Sequence, residues 1–211
     1  MSRTGPVTKQ PTSVGLGLAQ VRVGASSSYI GQSAPMLPAS ASVGALANTK
    51  FISLVEVYRL LSGYPELEDA VYPLSEIAAM ELAFKELTPA NIALARGLQP
   101  GDYSSVHTGT IKLGNIVAPV DIRVEMIYTY PDGTNTMTFV FPRAQAVASI
   151  DMAFSEKEPA AVALRLESKR ADNGITGGNV IWNDKPLGYI LWDDGSTATT
   201  TSSSSTTSTT N

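Results

Sequence analysis

The chain has no cysteine and a single histidine, His107, among its 211 residues. Disulfides, thiol nucleophiles and thiolate metal sites are therefore excluded, and so is any metal centre built on several histidines. Charge is also sparse. Asp, Glu, Lys and Arg make up 16% of the chain, against roughly 25% in an average globular protein, a deficit that suits a protein hiding part of its surface in an assembly. The net charge is −4 with a pI near 5.0, so no basic excess is available for gripping nucleic acid. No uninterrupted apolar run reaches the roughly 18 residues that a membrane-spanning helix needs. The stretch Met1–Gln20 lacks the charged, apolar, small-residue order of a secretion signal. Synthesis in the cytoplasm with no membrane partner is the expectation. What is present is ample core material: 43% of the residues are hydrophobic, in a length suited to one domain with appended arms.

The strongest local signal lies between Val120 and Phe154. Pro131-Asp132-Gly133-Thr134 separates two alternating runs, and Asp-Gly in that setting specifies a hairpin turn. Symmetric pairing about the turn puts Tyr128 opposite Met137, Met126 opposite Phe139 and Val124 opposite Phe141, giving one apolar face. The other face pairs Thr129 with Thr136, Ile127 with Thr138 and Glu125 with Val140. A slip of one residue would turn the whole apolar set to the wrong side, so the register is fixed. A third strand is expected directly afterwards, alternating Ala146, Ala148, Ile150, Met152 and Phe154. A long two-stranded ribbon needs a neighbour, and a second copy of the chain is one candidate.

Elsewhere the pattern is coarser. Residues 1–15 have the composition of a loose arm, and Leu16 to Val23 that of a first strand. Gly24 to Asn48 is a long irregular segment, of a length that calls for a purpose such as ordering on a neighbouring subunit. Phe51 to Leu61 is apolar nearly throughout, and its β-branched residues favour strand. Ser62 to Ser75, with Gly63, Pro65, Pro73 and the acidic run Glu66–Asp69, has loop composition. Glu76 to Leu87 places Met80, Leu82 and Phe84 on one side. Thr88-Pro89 then caps and starts a short helix that stops at Gly97. Ala160 to Lys169 alternates again, with Val162, Leu164 and Leu166 inward and Arg165, Glu167 and Lys169 outward. Residues 171–195 form a C-terminal arm carrying both tryptophans, and 196–211 is an almost pure Ser/Thr tail that cannot bury enough surface to fold alone. The fold class is mainly β (α+β): a sandwich- or barrel-like domain over 16–170 with a long β-hairpin and one short flanking α-helix.

A search for chemistry is unrewarding. His107 lies beside Ser104, Ser105 and Thr108, but neighbours in sequence do not make a triad. The acidic run Glu66–Asp69 fits no calcium loop, and Asp193-Asp194 suits a hydrophilic strand end. Gly174, Gly177 and Gly178 lack the strand–Gly-x-Gly-x-x-Gly–helix order of a dinucleotide site. Trp182, Tyr189 and Trp192 suit either a sugar platform or an anchor for the C-terminal arm, and Pro186 and Gly188 break the flat surface that the sugar reading needs. No catalytic residue, cofactor or metal is expected, and the chain is not expected to be an enzyme.

The segment Glu81–Leu98 (ELAFKELTPANIALARGL) resembles the strand, short helix and glycine stop of phage tail tube proteins. So does the succession Ile127–Gly133, Phe139–Ala144 and Ala153–Glu156, and the likeness covers roughly 16–170. This resemblance to the major tail protein of a long-tailed, siphovirus-like phage implies a structural virion protein. Its rings, hexameric in that family, stack into a conduit for DNA, and its partners are itself and other tail proteins. DNA passes through without specific binding. On that reading Asp121, Arg123, Glu125, Thr129, Thr136 and Thr138 face the lumen, and Tyr128, Tyr130, Met137, Phe139 and Phe141 form an inter-subunit hairpin. The alternative is a tail-tip or surface β-sandwich that binds a glycan or receptor, for which an exposed tryptophan is the mark.

Overall fold

The computed structural model describes residues 17–63, 67–98, 111, 118–131, 133–147, 150, 152, 154 and 160–193. The expected hairpin is present as β4 (Ile122–Thr129) and β5 (Thr136–Ala146). All six pairings derived from the alternation occur, from Thr129↔Thr136 to Val124↔Phe141. Gly133 supplies the positive φ of +72° at the turn, a conformation glycine adopts without a Cβ penalty.

Around this pair the chain builds one antiparallel sheet, mainly β as expected, with two short α-helices. The remaining strands are β1 (Gln20–Ala25), β2 (Leu46–Ser62), β3 (Leu67–Phe84), β6 (Val162–Ser168) and β7 (Tyr189–Asp193). Their order is β1-β4-β5-β6-β3-β2, and β7 shares the β5 edge with β6. β7 takes Thr136–Val140 of that edge, while β6 takes Ala144–Ala146. The sheet curls until Ser42, just ahead of β2, bridges back to Arg22 of β1, and the Val43 N–H reaches the Val21 carbonyl at 3.0 Å. A single curled sheet thus encloses the core, where two stacked sheets were an option. Val21, Met80, Phe84, Val124, Phe141, Leu164 and Leu166 from five strands meet inside it. Each such burial is worth about 1.5–3 kcal/mol.

Helix α2 (Pro89–Ala95) forms where Thr88-Pro89 predicts it, with the Thr88 side chain accepting the Asn91 N–H at 3.2 Å. Its Leu94 and Ala95 join the core. Helix α1 (Ser26–Tyr29) is a single turn following β1.

Several expectations are corrected. The stretch Ser62–Ser75 is mostly strand: β3 starts at Leu67, and β2–β3 is the longest hairpin among the described residues. The third strand expected over Ala146–Phe154 lies in part outside the described residues, which omit 148, 149, 151 and 153; Ala146 itself ends β5. Ile150 and Met152 pack on the core, Phe154 is exposed, and the next strand, β6, begins at Val162. Gly24–Asn48 orders on its own chain. β7, from the stretch with arm-like composition, is part of the sheet.

Candidate functional site

The β2–β3 hairpin is anchored only at its root. β6 pairs with Ala79–Phe84 of β3, which leaves Leu67–Ala78 bonded to β2 alone among the described strands. Beyond this root the ribbon carries eleven of the nineteen exposed large hydrophobics found among the described residues, including Leu54 at 58% exposure, Tyr58 at 54% and Leu67 at 64%. The register puts Leu54 opposite Ile77, Tyr58 opposite Tyr72 and Leu60 opposite Ala70 on one side. The other side pairs Val55 with Glu76, Val57 with Pro73, Arg59 with Val71 and Leu61 with Glu68. Two register shifts in the outer part leave Leu74 and Asp69 as extra residues on β3. Pro73, which has no N–H to give, fits a strand position facing an open edge. Arg59 and Glu68 form an ion pair at 2.5 Å, and Ser75 donates to Glu56 at 3.0 Å. Such exposed polar contacts contribute little stability.

At the hairpin root the outer face of the sheet becomes charged. Lys50 on β2 meets Glu81 on β3 at 3.5 Å, and Arg165 on β6 meets Glu81 at 3.1 Å. Glu167 takes Arg165 at 3.2 Å and Lys169 at 3.2 Å. On the neighbouring β5, Arg143 pairs with Asp121 at 2.7 Å, and Gln145 donates to Asp121 at 2.8 Å. Every cation in this row is matched by an acid, so the flank presents both signs without a basic patch.

The opposite flank is covered. Segment 29–37 crosses the outer face of β4 and is held there through its backbone. Arg123 donates to the carbonyls of Tyr29 at 2.9 Å, Gln32 at 2.6 Å and Ala34 at 2.6 Å. Glu125 accepts the N–H groups of Met36 and Leu37, both at 2.9 Å, and pairs with Arg123 at 2.8 Å. Arg22 holds the Leu37 carbonyl at 2.8 Å, Trp182 Nε1 that of Ile30 at 2.7 Å, and the Tyr189 hydroxyl that of Ser33. Trp182, Val140 and Ala171 make a small second core beside it, which accounts for the apolar Val140 on that face; Ile127, also on it, is not part of this cluster. Burial pushes the Tyr189 hydroxyl pKa up, against the opposing charge of Arg123.

The six residues expected to line a lumen are therefore not one open wall. Arg123 and Glu125 have no exposed surface, because a buried guanidinium and carboxylate are tolerated only when paired and fully hydrogen-bonded, and segment 29–37 supplies those partners. Thr138 is buried as well, Thr136 and Asp121 are half-buried, and Thr129 is exposed. The hairpin set is corrected too. Phe139, Phe141 and Tyr130 are buried in the protomer itself, and Tyr128 and Met137 pack against its core. Both edges of β4–β5 are already paired within the chain, so this hairpin has no edge to give a neighbour. Burial raises the Tyr130 pKa, with a smaller contribution from the charge of Tyr128.

The other sequence candidates gain nothing. His107, Ser104, Ser105, Thr108, Glu66 and Asp194 lie outside the described residues. Glu68 is taken by Arg59, and Asp69 bonds with Ser62. Among the described residues no group of three or more His, Asp or Glu is placed to hold a metal. Gly178 is dictated by packing, since a Cβ there would strike the Asp172 carbonyl. The missed feature is the β2–β3 ribbon. Its one signal in the sequence was the nearly continuous apolar run Phe51–Leu61, interrupted by Ser53, Glu56 and Arg59, which suits a buried strand equally well.

No protein family model matches the chain, and no curated protein matches it. Among solved structures it is similar to a chain in the cryo-EM structure of an extracellular contractile injection system, the PVC sheath–tube complex in its extended state. The identity is 13%, the likeness covers 72% of this chain and 85% of that one, and the TM-score is 0.38. A likeness this weak assigns no function.

Proposed function

We propose that the protein is a structural subunit of a phage-type tail, whose copies join through their β2–β3 hairpins into rings that stack as the tail tube. The observation that carries this reading is the hairpin: a long ribbon with large exposed apolar residues on both sides, interspersed with a few charges, whose outer half no other described strand covers. Eleven exposed large side chains amount to about 900 Å² of apolar surface divided between the two sides of the ribbon, so each side rivals the roughly 300–600 Å² of the largest patch on a typical monomer, and the two together match the roughly 800 Å² each partner contributes to a stable interface. Among the described strands the outer half of the ribbon has an unpaired edge on each side, one of β2 and one of β3, running in opposite directions. β2 of one copy can lie antiparallel along β3 of the next, a head-to-tail contact that propagates in one sense and closes as a ring. Closure removes the hazard that a bare strand edge poses.

The charged flank supplies the second support. A conduit for DNA should not retain it, and a wall whose lysines and arginines are each neutralised by an acid offers no polycationic groove. In this reading the wall is the row Lys50, Glu81, Arg165 and Glu167, in place of the β4 face. The subunit has no catalytic role and no cofactor. Its partners are its own copies and other tail proteins, and DNA is cargo. A hexameric ring in a long-tailed virion is the specific form we propose.

The experiment is assembly of concentrated protein followed by sedimentation, with the parent compared to Leu54→Ser and Tyr72→Ser. Both positions are more than half exposed, so the monomer should stay folded while large particles are lost. Particles that form as readily in both variants would refute the reading. One observation favours the binding-module alternative: Trp192 is 45% exposed. Quenching of its fluorescence by a glycan, without self-assembly, would move the balance to that side.

A further inference from the structure

The inner face of the sheet is unfinished at one place. Ile190 and Trp192 of β7 stand opposite Phe139 and Met137 of β5, so the register puts them on the core-facing side. Yet Ile190 is 54% exposed and Trp192 45%. β7 bonds to β5 along one edge, and no other described strand pairs with it. Between β7 and the root of the protomer's own β2–β3 hairpin lies a cleft of about 150 Å³, bordered by Phe51, Ser53, Ala78 and Ile190. A second opening of about 280 Å³, lined by Phe51, Tyr128 and Met137, adjoins it at Phe51. Both are mainly apolar hollows open at the margin of the core, where the close packing of the interior is not completed.

We infer that β7 and its cleft are the docking site for the outer half of the β2–β3 hairpin of a second copy of this chain. The inference rests on the assembly proposed for the tail subunit and goes beyond it by naming the receiving surface. A head-to-tail contact needs two different patches on one molecule that its own fold keeps apart. The hairpin is one such patch. The other is the core-facing side of β7, where Ile190 and Trp192 are both exposed large hydrophobics. The geometry favours a second copy over an unrelated partner for a further reason. The cleft opens beside the root of the protomer's own hairpin, so a guest ribbon seated there lies next to the free β3 edge, Leu67–Ala78. Docking on β7 and pairing of hairpin edges are then satisfied by one arrangement. Trp192, already against Tyr130 at 4.8 Å between ring centroids, suits the role of an aromatic anchor at the centre of such a contact.

The chain carries its own reporter. It has only two tryptophans, and Trp182 is wholly buried within the protomer, so any change in tryptophan accessibility on assembly belongs to Trp192. Acrylamide quenching is measured on monomer and on assembled particles of the parent and of Trp192→Phe. The expected result is a several-fold fall in quenching and a blue-shifted emission on assembly of the parent, with neither change in any particles that Trp192→Phe forms. In parallel, Ile190→Asp should keep the far-UV spectrum of the parent and fail to form particles. Because the chain lacks cysteine, Tyr72→Cys with Ile190→Cys should cross-link between copies only when assembled. Particles in which Trp192 is quenched as in the monomer, or which Ile190→Asp forms at the parental concentration, would overturn this inference and leave the assembly reading standing. A parent that never assembles would overturn both.

Discussion

Removing the carboxylate of Glu125 tests the physics of the covered flank. The group is wholly buried and has three partners: the Arg123 guanidinium at 2.8 Å, and the Met36 and Leu37 N–H groups, both at 2.9 Å. Glu125→Ala strands those donors and leaves Arg123 as a buried cation, still bonded to three carbonyls. Breaking a buried pair from one side costs about 3–5 kcal/mol. At about 2–4 °C per kcal/mol for a chain of this size, the melting temperature should fall by about 6–20 °C. Glu125→Gln keeps one acceptor oxygen and should cost less, about 1.5–3 kcal/mol. The loss should also be local, because segment 29–37 is a single layer of chain held through its backbone. Hydrogen exchange at Met36 and Leu37 should accelerate before that of the core strands does. The double variant Arg123→Met/Glu125→Leu should cost less than the sum of the single changes, since neither charge is then left alone. A Glu125→Ala protein within about 1 kcal/mol of the parent, with both amides as protected as before, would refute this account of the flank.

The C-terminal half offers two more tests. Gly188 has φ +117°, and a Cβ there would strike the Val140 carbonyl; Gly188→Ala should therefore lower stability by more than about 2 kcal/mol in chemical denaturation, loosening β7 first. The Asp172 carboxyl is held below the usual carboxylate range chiefly by its hydrogen bond from Arg170 at 2.6 Å, helped by the Gly174 N–H and opposed by burial. A depressed acid contributes stability that is fully present above its unfolded pKa and is lost as pH falls through its folded one. Asp172→Asn should accordingly flatten the acid limb of stability below about pH 4 and leave its shape at neutral pH unchanged, as followed by melting temperature against pH.

Legibility differed from one hairpin to the other for a physical reason. β4 and β5 alternate cleanly about an Asp-Gly turn, because one face meets the core and the other does not; period two then fixes the register residue by residue. The same logic found β6 through Val162, Leu164 and Leu166, and Thr88-Pro89 marked α2 through the unpaired donors at a helix start. β2 and β3 escape that logic. Their outer halves mix apolar and charged residues on both sides, so no alternation distinguishes a core face, and the extra residues Leu74 and Asp69 break what periodicity there is. Pro73 and the acidic residues then give a strand the composition of a loop. The burial of Arg123 and Glu125 was hidden for a different reason. What covers them is an irregular segment held by its backbone, and backbone groups leave no mark in a sequence. Trp182 and Trp192 looked alike as anchors, but only the first is satisfied within the protomer.

Electron microscopy of the concentrated, assembled protein tests the central claim most directly. The account predicts hollow tubes of stacked rings, in which the β2–β3 ribbons of successive copies are paired and the row Lys50, Glu81, Arg165 and Glu167 faces the axis. Compact monomers under every assembly condition, or particles in which the β2–β3 ribbons remain bare, would contradict it.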